Sequence, residues 1–247
     1  SLYQEAIGRT SKDGAITILQ GRAVGGTTLV NWTSSFRTPP QTLQHWASEH
    51  GVSGLSVEAL QPWFERMEQH LGVAPWTVPP NANNAVLQRG CESLGQHWAV
   101  IPRNVRGCWN LGYCGMGCPT NAKQSMLVTS IPALLDKGGA LLYLARAERL
   151  LMQGERVVGL DCLGMDDRCV EPNGRRIHVV AKHYILAGGG INTPALLLRS
   201  QAPDPHQRVG KRTFLHLTNF SAAQFDERID AFSGAPQSIY SDHFQWR

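Results

Sequence analysis

Two short stretches of this chain hold the residues best suited to chemistry. The first is residues 21–32, GRAVGGTTLVNW. Gly25 and Gly26 remove two Cβ atoms where a backbone must turn tightly or press against a flat ligand. Thr27, Thr28 and Asn31 add short polar side chains, and Ala23, Val24, Leu29 and Val30 flank them with apolar groups that half-bury the segment. Taken alone, a Gly-Gly-Thr-Thr turn serves structure as readily as binding. The second stretch clusters three of the six cysteines, Cys108, Cys114 and Cys118, the last followed by Pro119. A tight Cys run closed by Pro is a pattern of iron–sulfur ligation, in which thiolates converge and Pro ends the loop. Free or structural thiols and a disulfide are the alternatives. Structural zinc is disfavoured, because no fourth Cys or His stands at finger spacing. Cys91, Cys162 and Cys169 stand apart, and Cys162 reads as a core residue.

The elements around these stretches follow from periodicity and capping. Residues 15–20 (AITILQ) read as a short strand. Residues 42–49 read as a helix. A second helix over 57–71 takes Ser56 as its cap and sets Leu60, Phe64, Met67 and Leu71 at helical intervals, as core packing or the core of a lid. A third helix spans 85–94. Residues 125–137 read as helical, with Pro132 a kink or a fresh start. Strands are expected at 140–144 and 156–162, the second pairing with 176–180 across a Pro172-Asn173-Gly174 turn. Residues 184–187 read as a buried strand, leading through Gly188, Gly189 and Gly190 to a helix capped by Thr193 with Pro194 at its first position. The tail from 231 is expected in a sheet whose partners lie elsewhere. Helix and strand alternate, which favours an α/β class.

Three segments resemble, in order, the glucose-methanol-choline (GMC) flavin oxidoreductases. GGTTLVN from Gly25 is similar to their flavin-contacting GGSSxxN signature, with Thr in place of Ser. Residues 114–151 resemble the middle region, where a Gly-Cys loop leads into a Lys-Ser helix start. Residues 181–200, AKHYILAGGGINTPALLLRS, resemble the second signature, AGAxxTPxLLxxSG. The resemblance covers most of the chain and leans toward the Cys-containing long-chain alcohol and sugar dehydrogenases. It implies an incomplete Rossmann-like FAD-binding portion with part of a cap domain: a flavin-contacting segment at 1–40, a cap and Cys-rich loop at 41–135, FAD-domain strands at 136–210 and the start of a substrate sheet at 211–247. It implies FAD contacts at Gly25, Gly26, Thr27, Asn31, Ala147, Gly188, Gly189 and Thr193. It also raises the possibility of an iron–sulfur cluster on Cys108, Cys114 and Cys118, of the three-iron kind that passes electrons to a cytochrome subunit in some relatives. The substrate it implies is a small-molecule alcohol.

The resemblance also says what to look for and not find. No Gly-x-Gly-x-x-Gly turn stands before Gly21, and the Gly188–Gly190 run has neither the spacing of that fingerprint nor its acidic follower. The family's catalytic His belongs to a C-terminal segment beyond this chain. The expectation is a central portion of an alcohol-oxidising flavoenzyme, unable alone to retain FAD or turn over. A non-catalytic module packing on a separate nucleotide-binding chain is the second reading, and an iron–sulfur electron-transfer module the third. Among the nine histidines, His45, His50, His70, His97 and His206 sit among polar neighbours. His216 is similar to a family HP position in which Leu217 replaces the Pro. None is expected to be the base. Charged residues at 17% and apolar ones at 42% fit a globular chain. A net charge of +4, with Arg103, Arg106, Arg175 and Arg176 scattered, argues against nucleic acid. No apolar run approaches the roughly 18 residues of a membrane span.

Overall fold

The computed structural model describes residues 2–214 and 218–245, and the chain divides into two compact units: residues 1–140 with 224–247, and residues 141–223. The expected position of His216 lies outside the described residues.

In the first unit, helix α1 (Pro40–His50) opens on a proline, whose fixed φ and missing N–H suit a first helical position, and stops at Gly51. Helix α2 (Val57–Leu71) carries the expected cap: the Ser56 hydroxyl accepts from the Ala59 amide at 3.2 Å. Its apolar side is half-open, however, and not core. No α2 residue is fully buried, and Met67 is 46% exposed. Helical spacing fixes which side is apolar, not whether anything covers it. Strand β1 (Val73–Pro75) is followed by helix α3 (Ala82–Ser93), which begins earlier than the expected 85–94 because Asn81 caps it through the Asn84 amide at 2.9 Å. Strands β2 (Ala99–Val100) and β3 (Pro102–Asn104) come next, and β3 pairs antiparallel with β1. Helix α4 (Ser130–Asp136) is shorter than the expected 125–137, with Pro132 in its first turn as a fresh start. Residues 15–20 form no named strand; they pair with the preceding segment through one antiparallel bridge, Thr10 to Thr17, and through backbone bonds from the Ile18 amide to the Arg9 carbonyl and from the Gln4 amide to the Gln20 carbonyl.

The second unit is an antiparallel sheet of β4 (Ala145–Gln153), β5 (Arg156–Met165) and β6 (Pro172–Val179), with helix α5 (Gly189–Arg199) packed on β4. Leu150, Cys162, Met165 and Leu196 are buried in it. The Ser200 hydroxyl accepts from the Leu150 amide at 2.9 Å and donates to the Leu196 carbonyl at 2.7 Å, joining helix end to strand. Four expectations shift here. The strand placed at 140–144 begins at Ala145. The β5–β6 turn is closed by the Asp166 carboxylate, which accepts from the Val170 and Glu171 amides, and Pro172 is already paired with Met165. Residues 184–187 form no strand and leave Ile185 90% exposed, since no described strand lies beside them to take their amides. Helix α5 starts at Gly189, so Pro194 is inside it, and the Thr193 hydroxyl reaches back to accept from the Gly188 amide at 2.9 Å.

The tail belongs to the first unit. Strand β7 (Ile239–Tyr240) pairs with β2, so the partner of the tail is in this chain. Asn84, buried on α3, holds it by donating to the Pro236 carbonyl at 3.2 Å and accepting from the Ser238 amide at 3.0 Å. Helices and strands are mixed along the chain, in keeping with the α/β class expected of it, and every named strand pair is antiparallel.

Candidate active site: a glycine turn anchored to a cysteine loop

The Gly-Gly-Thr-Thr turn is a single 3-10 turn, Gly26–Leu29, entered through Gly25 at φ 98°. The two glycines do different things. A Cβ on Gly25 would strike the Leu29 side chain and stand 2.9 Å from the Leu127 backbone nitrogen, so the chain itself fills that space. A Cβ on Gly26, at φ 59°, would meet nothing within 4 Å. Gly25 lets the turn close on the segment behind it, and Gly26 leaves the other side bare. Both sit in the left-handed region that L side chains rarely adopt.

Behind the turn the hydrogen bonds are specific. The Thr28 hydroxyl donates to the Gly25 carbonyl at 2.5 Å and accepts from the Met126 amide at 3.0 Å. Thr27 is exposed, and its hydroxyl accepts from the Gly21 amide at 3.1 Å. The Asn31 side chain folds onto its own backbone, accepting from the Thr33 amide at 3.3 Å. Thr28 therefore ties the turn to residue 126, while Thr27 and Asn31 shape the turn locally.

Two buried cations complete the arrangement, and sequence reasoning missed both. Lys123, 3% exposed, donates to the carbonyls of Leu29 (2.8 Å), Asn31 (2.7 Å) and Cys114 (2.6 Å). Burial, the largest influence, pushes its ammonium below the usual lysine range; the Cys114 and Cys118 thiols oppose this and Arg103 adds to it. Arg103, on β3 and 1% exposed, donates from Nε to the Thr33 hydroxyl at 2.8 Å. Its Nη2 reaches the Trp32 carbonyl at 3.3 Å and Cys114 Sγ at 3.2 Å, and its guanidinium stacks 4.6 Å from the Trp76 ring centroid. Thr33, 1% exposed, is held at φ 68° within this network, a rare backbone state for a β-branched residue. Nothing in the sequence around Lys123 or Arg103 marks either as buried: a lone Lys or Arg among polar neighbours reads as surface.

The cysteine loop gathers as expected, but not as a ligand set. Cys108, Cys114 and Cys118 all line one small cavity of about 30 Å³. Among the described residues no three Cys, His, Asp or Glu side chains have a geometry that could hold a metal ion. The metal assignment to Cys108, Cys114 and Cys118 finds no support in this geometry, in which each sulfur has another partner. Cys108 Sγ accepts from the Asn110 amide at 3.4 Å, Cys114 Sγ from Arg103, and Cys118 Sγ from the Lys123 amide at 3.5 Å. All three are free thiols. Burial is the largest influence on Cys118 and raises its pKa, but the bonds from Thr120, Lys123 and Ala122 together bring it below the usual thiol value.

A cavity of about 610 Å³ meets the end of this turn at Leu29 and is lined also by Tyr113, Met116, Cys118, Lys123, Ser125 and Leu127; Gly25, Gly26 and Thr27 are not in its lining. Among the described residues no histidine or carboxylate lines it. Of the expected cofactor positions, Gly25, Gly26, Thr27 and Asn31 are thus brought together in the first unit. The other four lie in the second unit and are not gathered in one place. Gly188, Gly189 and Thr193 stand at the start of α5, whereas the Ala147 carbonyl accepts from Arg199 at its far end, about 15 Å along the helix.

The sequence model of the GMC oxidoreductase family matches residues 1–218. An uncharacterized GMC-type oxidoreductase of Mycobacterium tuberculosis is 34% identical, over 93% of this chain and 36% of its own length. A long-chain-alcohol oxidase of Arabidopsis thaliana is 29% identical, over 94% of this chain and 32% of its own. The chain thus spans about a third of the length of these curated relatives. In fold, it is similar to the crystal structure of pyridoxine 4-oxidase from Mesorbium loti, with a TM-score of 0.52 and 20% identity over 74% of this chain and 37% of that one. The family model spans the glycine turn, the cysteine loop and α5 in one continuous match, and this chain belongs to the GMC oxidoreductase family.

Proposed function

We propose that this chain supplies one wall of the flavin site in a FAD-dependent enzyme that oxidises alcohols. The observation that carries the reading is the difference between the two glycines: Gly25 is packed against Leu29 and Leu127, and Gly26 has open space where a Cβ would stand. At φ 59° the backbone of Gly26 itself favours glycine, so the open space beside it admits a flat ring, and the reading rests on this together with the place of the turn in the family signature. The fit to a flat ring is good, because backbone without Cβ admits close approach and the adjoining cavity is roomy and mostly apolar. FAD, when bound, supplies the acceptor for the hydride leaving the alcohol carbon.

The chain's own residues bind and orient. Lys123 and Thr28 tie the turn to neighbouring segments, and Leu29, Met116 and Leu127 give the cavity much of its apolar lining. The same apolar lining suits an aliphatic alcohol, as the name of the Arabidopsis relative suggests. We assign no proton acceptor here, since among the described residues no histidine or carboxylate lines the cavity. Gly188, Gly189, Thr193 and Ala147 are proposed as contacts to the rest of the dinucleotide, on the strength of the family signature alone.

The test is FAD uptake by the complete protein and its Gly26→Val variant. Stoichiometric FAD in the first and a marked loss in the second is the expected pair. Equal occupancy in both would remove Gly26, and the turn with it, from the flavin site.

A further inference from the structure

Lys123 has more to do than fill a loop. An ammonium carries three N–H donors, and each of these goes to a different main-chain carbonyl: Leu29 at the end of the glycine turn, Asn31 just beyond it, and Cys114 at the head of the cysteine loop. Among the described residues no carboxylate lies within ion-pair distance of it. Burying a charge without an acid is expensive, and a chain that needed only packing here would be served by an apolar side chain. Two properties remain that only a cation on a long stem provides. One is convergence, since three carbonyls from two separate segments are drawn to a single point. The other is charge, since Lys123 is itself part of the wall of the 610 Å³ cavity, beside Leu29, Ser125 and Leu127.

We infer that Lys123 is a positioning residue for the flavin: it ties the Leu29–Asn31 end of the glycine turn to the cysteine loop and sets a positive charge in the cavity wall that favours an electron-rich ring. The inference rests on the flavin reading above. Anchoring acts on the free protein by holding the Leu29 and Asn31 carbonyls against the cysteine loop. Charge acts on the loaded protein by stabilising negative charge gained on reduction. Arg103 is the other buried cation of this network, but it stacks on Trp76 and does not line the cavity, so Lys123 carries the effect.

The experiment uses the complete protein with Lys123→Met, which removes the donors and the charge, and Lys123→Gln, which keeps two N–H donors without the charge. Hydrogen exchange of residues 26–31 is measured on flavin-free protein, then FAD affinity, then the midpoint potential of the bound flavin. Loss of charge-assisted hydrogen bonds should speed exchange in Lys123→Met about tenfold and weaken FAD binding by about tenfold or more. Lys123→Gln should recover part of the affinity, yet its flavin potential should be lower than wild type. A merely structural lysine would not move the potential. Unchanged exchange together with an unchanged potential in Lys123→Gln overturns the inference, whether or not Lys123→Met folds. Wild-type protein that takes up no FAD overturns the flavin role at its source, and the exchange data then show separately whether the anchor exists.

Discussion

Replacing the two glycines of the turn one at a time should separate fold from function. In Gly25→Ala the new Cβ meets the Leu29 side chain, which can swing away, and the Leu127 backbone nitrogen at 2.9 Å, which cannot. Overpacking of that kind costs about 1–3 kcal/mol. Holding an alanine at φ 98° adds about 1–2 kcal/mol, so the first unit should lose roughly 2–5 kcal/mol. In Gly26→Ala the Cβ enters open space, and only the left-handed backbone term of about 1–2 kcal/mol remains. Urea denaturation followed by tryptophan fluorescence is a suitable assay, because Trp32, Trp46, Trp63, Trp76, Trp98 and Trp109 all belong to the first unit. Gly25→Ala should shift the midpoint well below that of Gly26→Ala, while Gly26→Ala should show the greater loss of FAD relative to its stability. Two variants of equal stability, or the reverse order, would refute the assignment of the inner and outer faces.

Ser200→Ala should destabilise the second unit by about 1–2 kcal/mol, since it leaves the Leu150 amide unpaired in the core; calorimetry of the variant checks this. Because the folded-state pKa of Lys123 lies below that of an unfolded lysine, the unfolded chain binds more protons between those two values. Stability of the first unit should therefore rise with pH across that alkaline window, and the rise should disappear in Lys123→Met; parallel slopes in both proteins would count against a buried, charged Lys123. Complete protein prepared anaerobically should contain no stoichiometric iron, and Cys114→Ser should leave that content unchanged. Iron near three atoms per chain in the wild type, lost in Cys114→Ser, would restore the cluster.

What the sequence made legible was local. Helix α2 announces itself through Ser56 at its start, a cap that acts within a few residues; α1 and α3 are legible as helices but begin earlier than their patterns suggest, at Pro40 and behind the Asn81 cap. The glycine turn was readable for the same reason: its conformation is set by residues that adjoin it. Strands were harder. Residues 15–20 and 184–187 have the composition of strands, but a strand exists only with a partner, and no described strand pairs with either. Conversely the tail found a partner in Ala99–Val100, about 140 residues away, which no local pattern foretells. Least legible were Arg103 and Lys123, whose roles depend on carbonyls and a thiol brought in from other segments. The cysteine spacing suggested convergence, and the three thiols do share a cavity; their sulfurs nonetheless bond to nearby amides and to Arg103 and form no ligand set.

The most direct test of the central claim is anaerobic titration of the complete, FAD-loaded protein with a series of primary alcohols, watching the visible flavin band. The account predicts that the band bleaches on addition of an aliphatic alcohol, and that Gly26→Val abolishes the response by excluding the ring. A wild-type protein that binds FAD but is not reduced by any alcohol of the series, or a Gly26→Val variant reduced as readily as wild type, would contradict it.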